Sequence, residues 1–109
     1  MKRVIVIGGG PAGLMAAEVL SEAGVVVDLY DAMPSVGRKF LLAGKGGLNL
    51  THSESADRFA ERYGEQRTQI EALLRSFGPQ QVREWAHGLG VETFVGTSGR
   101  VFPSDMKAA

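Results

Sequence analysis

The sequence predicts an α/β fold that begins with a β-α-β unit, continues through three helices and ends in a short β-hairpin. Three observations support this prediction. A β-branched run leads directly into a glycine-rich turn, amphipathic segments with helical spacing fill the middle of the chain, and apolar residues alternate around turn signals near its end. The 109 residues are enough for one small domain.

The β-α-β unit is predicted from the first part of the chain. Residues Val4 to Ile7 form a continuous β-branched run, which is typical of a strand covered on both faces. A helix is then predicted to about Ala23, because small and apolar residues recur at helical spacing, and Gly24 is placed to end it. A second β-rich run extends from Val25 to Tyr30 and ends at Asp31.

The turn between the first strand and the helix carries the pattern G-x-G-x-x-G, formed by Gly8, Gly10 and Gly13. In a dinucleotide-binding turn the first glycine permits the tight turn, the second lets a pyrophosphate approach the backbone, and the third allows close helix–strand packing. Asp31, at the end of the second strand, is placed to accept hydrogen bonds from ribose hydroxyls and to repel a 2′-phosphate. The alternative, a turn that only joins strand to helix, explains neither Gly10 nor Asp31.

Three amphipathic helices are predicted next, each with apolar residues at i, i+3, i+4 and i+7. They cover Ala56 to Tyr63, Ile70 to Phe77 and Val82 to Leu89. Thr68 and Glu71 form a capping-box signature for the second helix. The aromatic residues on these faces are expected to pack in the core; they are Phe59, Tyr63, Phe77 and Trp85.

The last segment is predicted to form a hairpin. Residues Val91 to Val95 and Arg100 to Phe102 have the composition of short strands, and Gly96 to Gly99 supplies the turn between them. The final "MKAA" resembles the interior of a longer chain. We therefore expect the domain to be incomplete at this point.

The composition excludes several classes of protein. The formal net charge is zero, so no overall basic field draws the chain to nucleic acid or to an anionic membrane, and neither is expected as a partner. There are no cysteines, which excludes disulfides, thiolate metal sites and a cysteine nucleophile, and which suits a cytoplasmic protein. His52 has no second ligand at metal spacing, so no metal site is expected.

The segment "GRKFLLAGKGGLNLTH", from Gly37 to His52, is too glycine-rich to predict as a helix. Its glycines let backbone N–H groups converge on an anion, Arg38 can offer a bidentate fork, and Lys39 and Lys45 add positive charge. Asn49 both donates and accepts, which suits the edge of a flavin ring. The alternative is a surface loop whose charged residues are only solvated.

Three separated stretches resemble the N-terminus of one bacterial flavoprotein family, the BaiN-like or YhiN-like NAD(P)/FAD-dependent oxidoreductases, also called aminoacetone oxidases. The stretches are "VIVIGGGPAG", "DLYDAMPSVGRKFLLAGKGGLNLTH" and "SGRVFPSDMKA", and they occur in the family's order. Members of that family are several times longer than this chain. They carry a Rossmann-like FAD domain of the glutathione-reductase type that is interrupted by inserted domains.

The resemblance implies a set of cofactor-binding residues. Those of the diphosphate loop are Gly8, Gly10, Pro11, Ala12 and Gly13. Those at the ribose and in the basic and glycine-rich segment are Asp31, Ala32, Arg38, Lys39, Gly44, Gly46, Asn49 and Thr51. The acidic position is more often Glu in such flavoproteins, and here the shorter Asp31 occupies it. Most relatives have the segment S-G-x-G-R-C-N-x-T here. In this chain Ala43 replaces the Ser, and Gly47 and Leu48 replace the Arg and the Cys, so no role of those three residues is carried over.

The expected organisation is one N-terminal part of an FAD-binding Rossmann-like domain. Residues 1–52 would form the dinucleotide-binding unit, residues 53–90 a helical segment, and residues 91–109 a hairpin. The resemblance implies FAD as cofactor, NAD(P)H as a possible electron donor and a small-molecule substrate of unknown identity, with no catalytic residue assigned. Two alternatives stay open: an NAD(H)-binding dehydrogenase domain, and a truncated, non-catalytic nucleotide-binding fragment.

Overall fold

The computed structural model describes residues 2–43 and 47–108 and confirms the predicted α/β fold. The described residues fall into two compact units. The first contains residues 2–43 together with Ala108, and the second contains residues 47–107. Each unit has its own sheet, so the two are described separately.

The first unit is the predicted β-α-β arrangement. Strand β1, Arg3–Ile7, leads into helix α1, Pro11–Glu22, which returns the chain to strand β2, Val26–Tyr30. The two strands pair in parallel, with Val4 opposite Val27 and Ile7 opposite Tyr30. The carboxyl ends of both strands therefore lie side by side, which is where open α/β sheets bind their ligands.

Both ends of α1 follow the sequence signals. Gly10 is the N-cap residue and Pro11 occupies the first turn, where its missing N–H costs no helical hydrogen bond. Ala23 is the C-cap, and Gly24 follows with φ +82°, the left-handed conformation that commonly ends a helix. The predicted stop at Gly24 is confirmed.

A further helix, α2, covers Arg38–Ala43, within the segment that was predicted to be non-helical. That prediction was wrong because the glycines of the segment lie at its start and after this helix, while the stretch "RKFLLA" contains none. Gly37 itself has φ +71°, and its carbonyl accepts a hydrogen bond from the Leu41 N–H at 3.0 Å. Because the glycine content was judged over the whole segment, the short helix within it was not predicted.

The second unit contains three helices and a small antiparallel sheet. Its helices are α3, Ala56–Glu61, α4, Arg67–Ser76, and α5, Pro79–Gly88, with a 3₁₀ turn at Gly64–Gln66. Its strands are β3, Thr51–His52, β4, Thr93–Val95, and β5, Arg100–Pro103, in the order β3-β5-β4. The predicted hairpin is confirmed as β4 and β5. Strand β3 was not predicted, because two residues carry no periodicity.

The start of α4 corrects the proposed capping box. The helix begins at Arg67 after the N-cap residue Gln66, so Thr68 lies inside it, and no side chain caps this end. Glu71 instead accepts a hydrogen bond from Arg67, which also donates to Asp57. The start of α4 therefore has ion pairs of Arg67 in place of a side-chain cap. Within the described ranges, each helix is too short or too polar to cross a bilayer.

The core of the second unit contains Leu48 together with small and β-branched residues. Val101 is fully buried on β5, and Ala60 and Ala86 are 2% and 3% exposed on their helices. The aromatic residues predicted for the core behave unequally. Tyr63 and Phe77 are 41% and 43% exposed, so that prediction was wrong for both. Both residues follow the ends of their helices, since α3 ends at Glu61 and α4 at Ser76, so the helical spacing that predicted their burial does not extend to them.

Candidate dinucleotide-binding site

A backbone hydrogen bond links the turn after β1 to the end of β2. Gly8 donates its N–H to the Tyr30 carbonyl at 2.7 Å, which extends the parallel pairing by one bond beyond the strands. Its φ of +105° lies in the region that favours glycine. The tight turn that the sequence predicted at Gly8 is therefore present, and it brings the start of α1 next to the end of β2.

Gly13 lies where α1 crosses this turn. A Cβ atom at this position would stand 1.8 Å from the Gly8 carbonyl oxygen and 3.0 Å from its carbon. Both atoms belong to the backbone, so no side-chain rotation would relieve the contact. The third glycine of the motif is thus required by the packing of α1 on the strand end.

Gly10 differs from Gly13 in what surrounds it. A Cβ atom at Gly10 would meet no atom of the described residues within 4 Å, and the backbone there has an extended conformation, with φ −83° and ψ −174°. Neither internal packing nor backbone strain therefore requires a glycine at this position. Open space beside the chain is the feature that a bound pyrophosphate would use.

The first turn of α1 offers backbone donors beside that space. No side chain caps the helix, and its first turn carries no acidic residue. Leu14 makes the first helical hydrogen bond, donating to the Gly10 carbonyl at 2.9 Å, so the N–H groups of Ala12 and Gly13 precede the regular pattern. Such donors, together with the helix dipole, favour an anionic group.

Asp31 follows β2 and holds the turn from the other side. Its Oδ2 accepts the Gly9 N–H at 2.6 Å, and its Oδ1 accepts the Met33 N–H at 2.7 Å. These bonds to Met33 and Gly9 lower the pKa of the carboxyl group, so it is ionised at neutral pH. Each carboxylate oxygen keeps a second lone pair, and the residue is exposed, so ribose hydroxyls can still donate to it.

Gly9 is a site residue that the sequence analysis missed. It is buried, and a Cβ atom there would lie 2.5 Å from Val36 Cγ1 and 3.0 Å from Asp31 Oδ2. Its carbonyl also accepts the Gly37 N–H at 2.8 Å. The only signal was the middle glycine of "GGG", at a position that the motif leaves free. Gly9 fastens Asp31 and the segment before α2 to the glycine turn.

The other predicted residues divide between the two units. In the first unit, Pro11, Ala12, Ala32, Arg38 and Lys39 are all exposed. The positive charge of Arg38 also lowers the pKa of the Asp31 carboxyl, as a smaller contribution than the two hydrogen bonds. Gly44, Lys45 and Gly46 lie outside the described residues. Asn49 and Thr51 belong to the second unit, Asn49 exposed and Thr51 in β3.

The second unit contains a large open cleft of about 680 Å³ beside α3, α4 and the start of α5. One of its basic residues, Arg67, forms ion pairs with Asp57, Glu61 and Glu71, which balance its positive charge. Among the described residues, no group of three or more His, Cys, Asp or Glu side chains is arranged to hold a metal ion. This cleft therefore carries no catalytic assignment.

Comparison with known proteins identifies the domain. The model of the HI0933-like protein Rossmann domain matches residues 2–109. The chain is 53% identical over 36 residues to the "Putative oxidoreductase UacF" of Escherichia coli K12, covering 33% of this chain and 6% of that protein. It is 39% identical over 61 residues to the thiamine thiazole synthase of Methanosarcina acetivorans, covering 56% and 24%.

A third relative is the ribosomal RNA dihydrouridine synthase of Haemophilus influenzae, 42% identical over 50 residues, which cover 46% of this chain and 12% of that protein. The matched segments thus amount to between 6% and 24% of the length of these relatives. The family match covers nearly the whole chain and confirms the resemblance drawn from the three motifs. The glycine turn, the parallel strand pair and this match together establish that the chain belongs to the HI0933-like protein Rossmann domain family.

Proposed function

We propose that the first unit binds the ADP part of FAD, and that the chain is the FAD-binding portion of a flavin-dependent oxidoreductase. Bound FAD supplies the hydride and electron transfer, while the protein binds and orients it. NAD(P)H is the electron donor that we propose for such an enzyme. The family match and the oxidoreductase name of one relative support this proposal.

One observation carries the proposal: the space beside Gly10 is open, while its neighbours in the turn are tightly constrained. Gly9 and Gly13 are glycines because Val36 and the Gly8 carbonyl leave no room for a side chain. Gly10 has room for one and still lacks it. A diphosphate lying against the backbone explains this difference, because any Cβ atom would occupy its position.

The surrounding groups suit the two ends of an ADP moiety. The N–H groups of Ala12 and Gly13 would donate to the diphosphate at the start of α1. Asp31, already ionised and fixed by Gly9 and Met33, would accept hydrogen bonds from the adenosine ribose hydroxyls. Arg38 adds a positive charge on the same unit.

A matched pair of variants tests the site. Gly10→Val and Gly88→Val both place a side chain where φ is not positive and where no atom of the part of the chain that the structure describes lies within 4 Å of the added Cβ atom. We expect Gly10→Val to lose FAD binding by at least about 100-fold, and Gly88→Val to bind as the parent does. Binding is read from the quenching of flavin fluorescence. Equal affinities of all three proteins for FAD would show that the diphosphate does not lie at Gly10.

The main competing function is an NAD(H)-binding dehydrogenase domain, since the same glycine pattern serves NAD. The resemblance of the three motifs to FAD-dependent oxidoreductases, together with the family match, favours FAD. Titration of one protein sample with FAD and with NADH separates the two. Tighter binding of FAD supports the proposal, and tighter binding of NADH replaces it with the dehydrogenase.

A further inference from the structure

A second, smaller cleft of about 440 Å³ lies entirely within the second unit. Its described lining consists of Asn49, Thr51, His52, Phe59, Arg62, Ser98 and Arg100. Six of these seven residues carry side-chain hydrogen-bond donors, and none is a carboxylate. The lining therefore concentrates side-chain donors in one place.

The two arginines of the cleft differ in what they already bind. Arg62 donates to Glu54 through its Nε and, at 2.8 Å, through Nη2, so its charge is balanced. Within residues 2–43 and 47–108, the Arg100 side chain makes one long hydrogen bond, 3.4 Å, from Nη1 to the Ser98 hydroxyl. Among the residues that the structure describes, no carboxylate lies within ion-pair distance of Arg100. Its guanidinium therefore keeps most of its donors available.

The sheet places His52 beside Arg100. The two residues are direct partners across β3 and β5, so their side chains leave the same face. The Nδ1 of His52 accepts the Glu54 N–H at 3.0 Å, which leaves the proton of the neutral ring on Nε2, as a donor. Gly99, with φ +86°, makes room for this ring, since a Cβ atom there would lie 2.6 Å from Cε1.

We propose that this cleft binds the oxyanion of a small molecule, a carboxylate or a phosphate, with Arg100 as its principal contact. The planar fork of an arginine matches the two oxygens of such a group, and His52 and Asn49 add neutral donors. Phe59 supplies an apolar wall for the rest of the ligand. The proposal gives "SGRVFP" a role: Gly99 accommodates His52, and Arg100 holds the anion.

The site can be tested without any dinucleotide, by following the amide signals of the whole chain in ¹⁵N NMR spectra during titration with inorganic phosphate and, separately, with acetate. We expect saturable shifts at residues near Arg100 and His52, with affinity in the millimolar range for at least one of the two anions; any shifts at the start of α1 report the separate diphosphate site and are fitted apart from these. Arg100→Gln should weaken that binding by at least about 10-fold. Asn49→Ala, at an exposed position, should weaken it by about 3-fold.

Arg58→Gln is the matched control, because it removes the same charge from an exposed position that lines neither cleft. It should leave the affinity within about 2-fold of the parent. The proposal is overturned if neither anion gives saturable shifts, or if Arg58→Gln weakens binding as much as Arg100→Gln. Should Arg100→Gln unfold, an Asn49→Ala variant that binds the anion as tightly as the parent overturns it as well. FAD binding plays no part in these readings.

Discussion

Replacing Gly13 by alanine tests whether helix propensity or the packing of α1 on the glycine turn decides the stability at this position. Gly13 lies within α1, and by propensity alone an alanine inside a helix is more stable than a glycine by about 0.8–1 kcal/mol. Stability would then rise. The packing of α1 predicts the opposite, because the added Cβ atom would lie 1.8 Å from the Gly8 carbonyl oxygen.

The structure sets the size of this effect. Real Cβ atoms approach other heavy atoms no closer than 3.0 Å, so α1 and the turn would have to separate by about 3.0 minus 1.8, or 1.2 Å. Overpacking of this kind costs about 1–3 kcal/mol, and here only backbone can move. Because no side chain can rotate away, we use the upper half of that range, about 2–3 kcal/mol, and after subtracting the gain in propensity we expect a net loss of about 1–2 kcal/mol. That corresponds to a melting temperature lower by about 5–15 °C.

The measurement is thermal unfolding followed by far-UV circular dichroism and by the amide NMR signals of α1. Gly88→Ala is the control, because Gly88 ends α5 with no atom near its would-be Cβ, so the melting temperature should be unchanged or slightly higher. If Gly13→Ala raises the melting temperature as Gly88→Ala does, α1 does not press against the turn at Gly8. The packing requirement for the third glycine of the motif would then be wrong.

Three further predictions concern the carboxylates. Asp31→Asn should weaken FAD binding by about 10-fold in a calorimetric titration, since it removes a charged acceptor, and unchanged affinity would exclude a ribose contact. Hydrogen bonds hold the pKa of the Asp31 and Glu54 carboxyl groups below the usual range near 4. Both groups therefore stabilise the fold above about pH 4.5, and this stabilisation is lost as pH falls through the folded pKa values. Melting temperatures should therefore fall in acid, and less steeply in Asp31→Asn; identical acid slopes would contradict this. Glu54→Gln should lower the melting temperature by a few degrees by leaving Arg62 without its charged partner, whereas the exposed Glu65→Gln should leave it unchanged; equal effects would argue against the pair.

The parts of the fold that local sequence determines were predictable. The β-branched run, the glycine turn and Gly24 each act through neighbouring residues, so β1, α1 and β2 follow from the sequence alone. The elements that depend on distant partners could not be predicted from the sequence in this way. Strand β3 has two residues and exists because β5 pairs with it, and α4 begins at Arg67, where the ion pairs with Asp57 and Glu71 form.

The same distinction applies to the candidate site. The spacing of the motif singled out Gly10 and Asp31 as predicted contacts of a diphosphate and a ribose, and both stay predictions. It was not enough to find Gly9, whose requirement for glycine comes from Val36, far along the chain. Nor could spacing show that Asp31 also accepts the Gly9 N–H. Contacts between the two strand ends become visible only once the chain is folded.

The proposal that this domain holds FAD underlies the roles given to Gly10 and Asp31. The most direct test is the visible absorbance spectrum of the natural gene product as purified from cells, followed by release and chromatography of any bound cofactor. We expect the two absorbance bands of an oxidised flavin and release of FAD, with both absent from the Gly10→Val variant. A colourless protein that takes up no FAD when it is added would contradict the proposal.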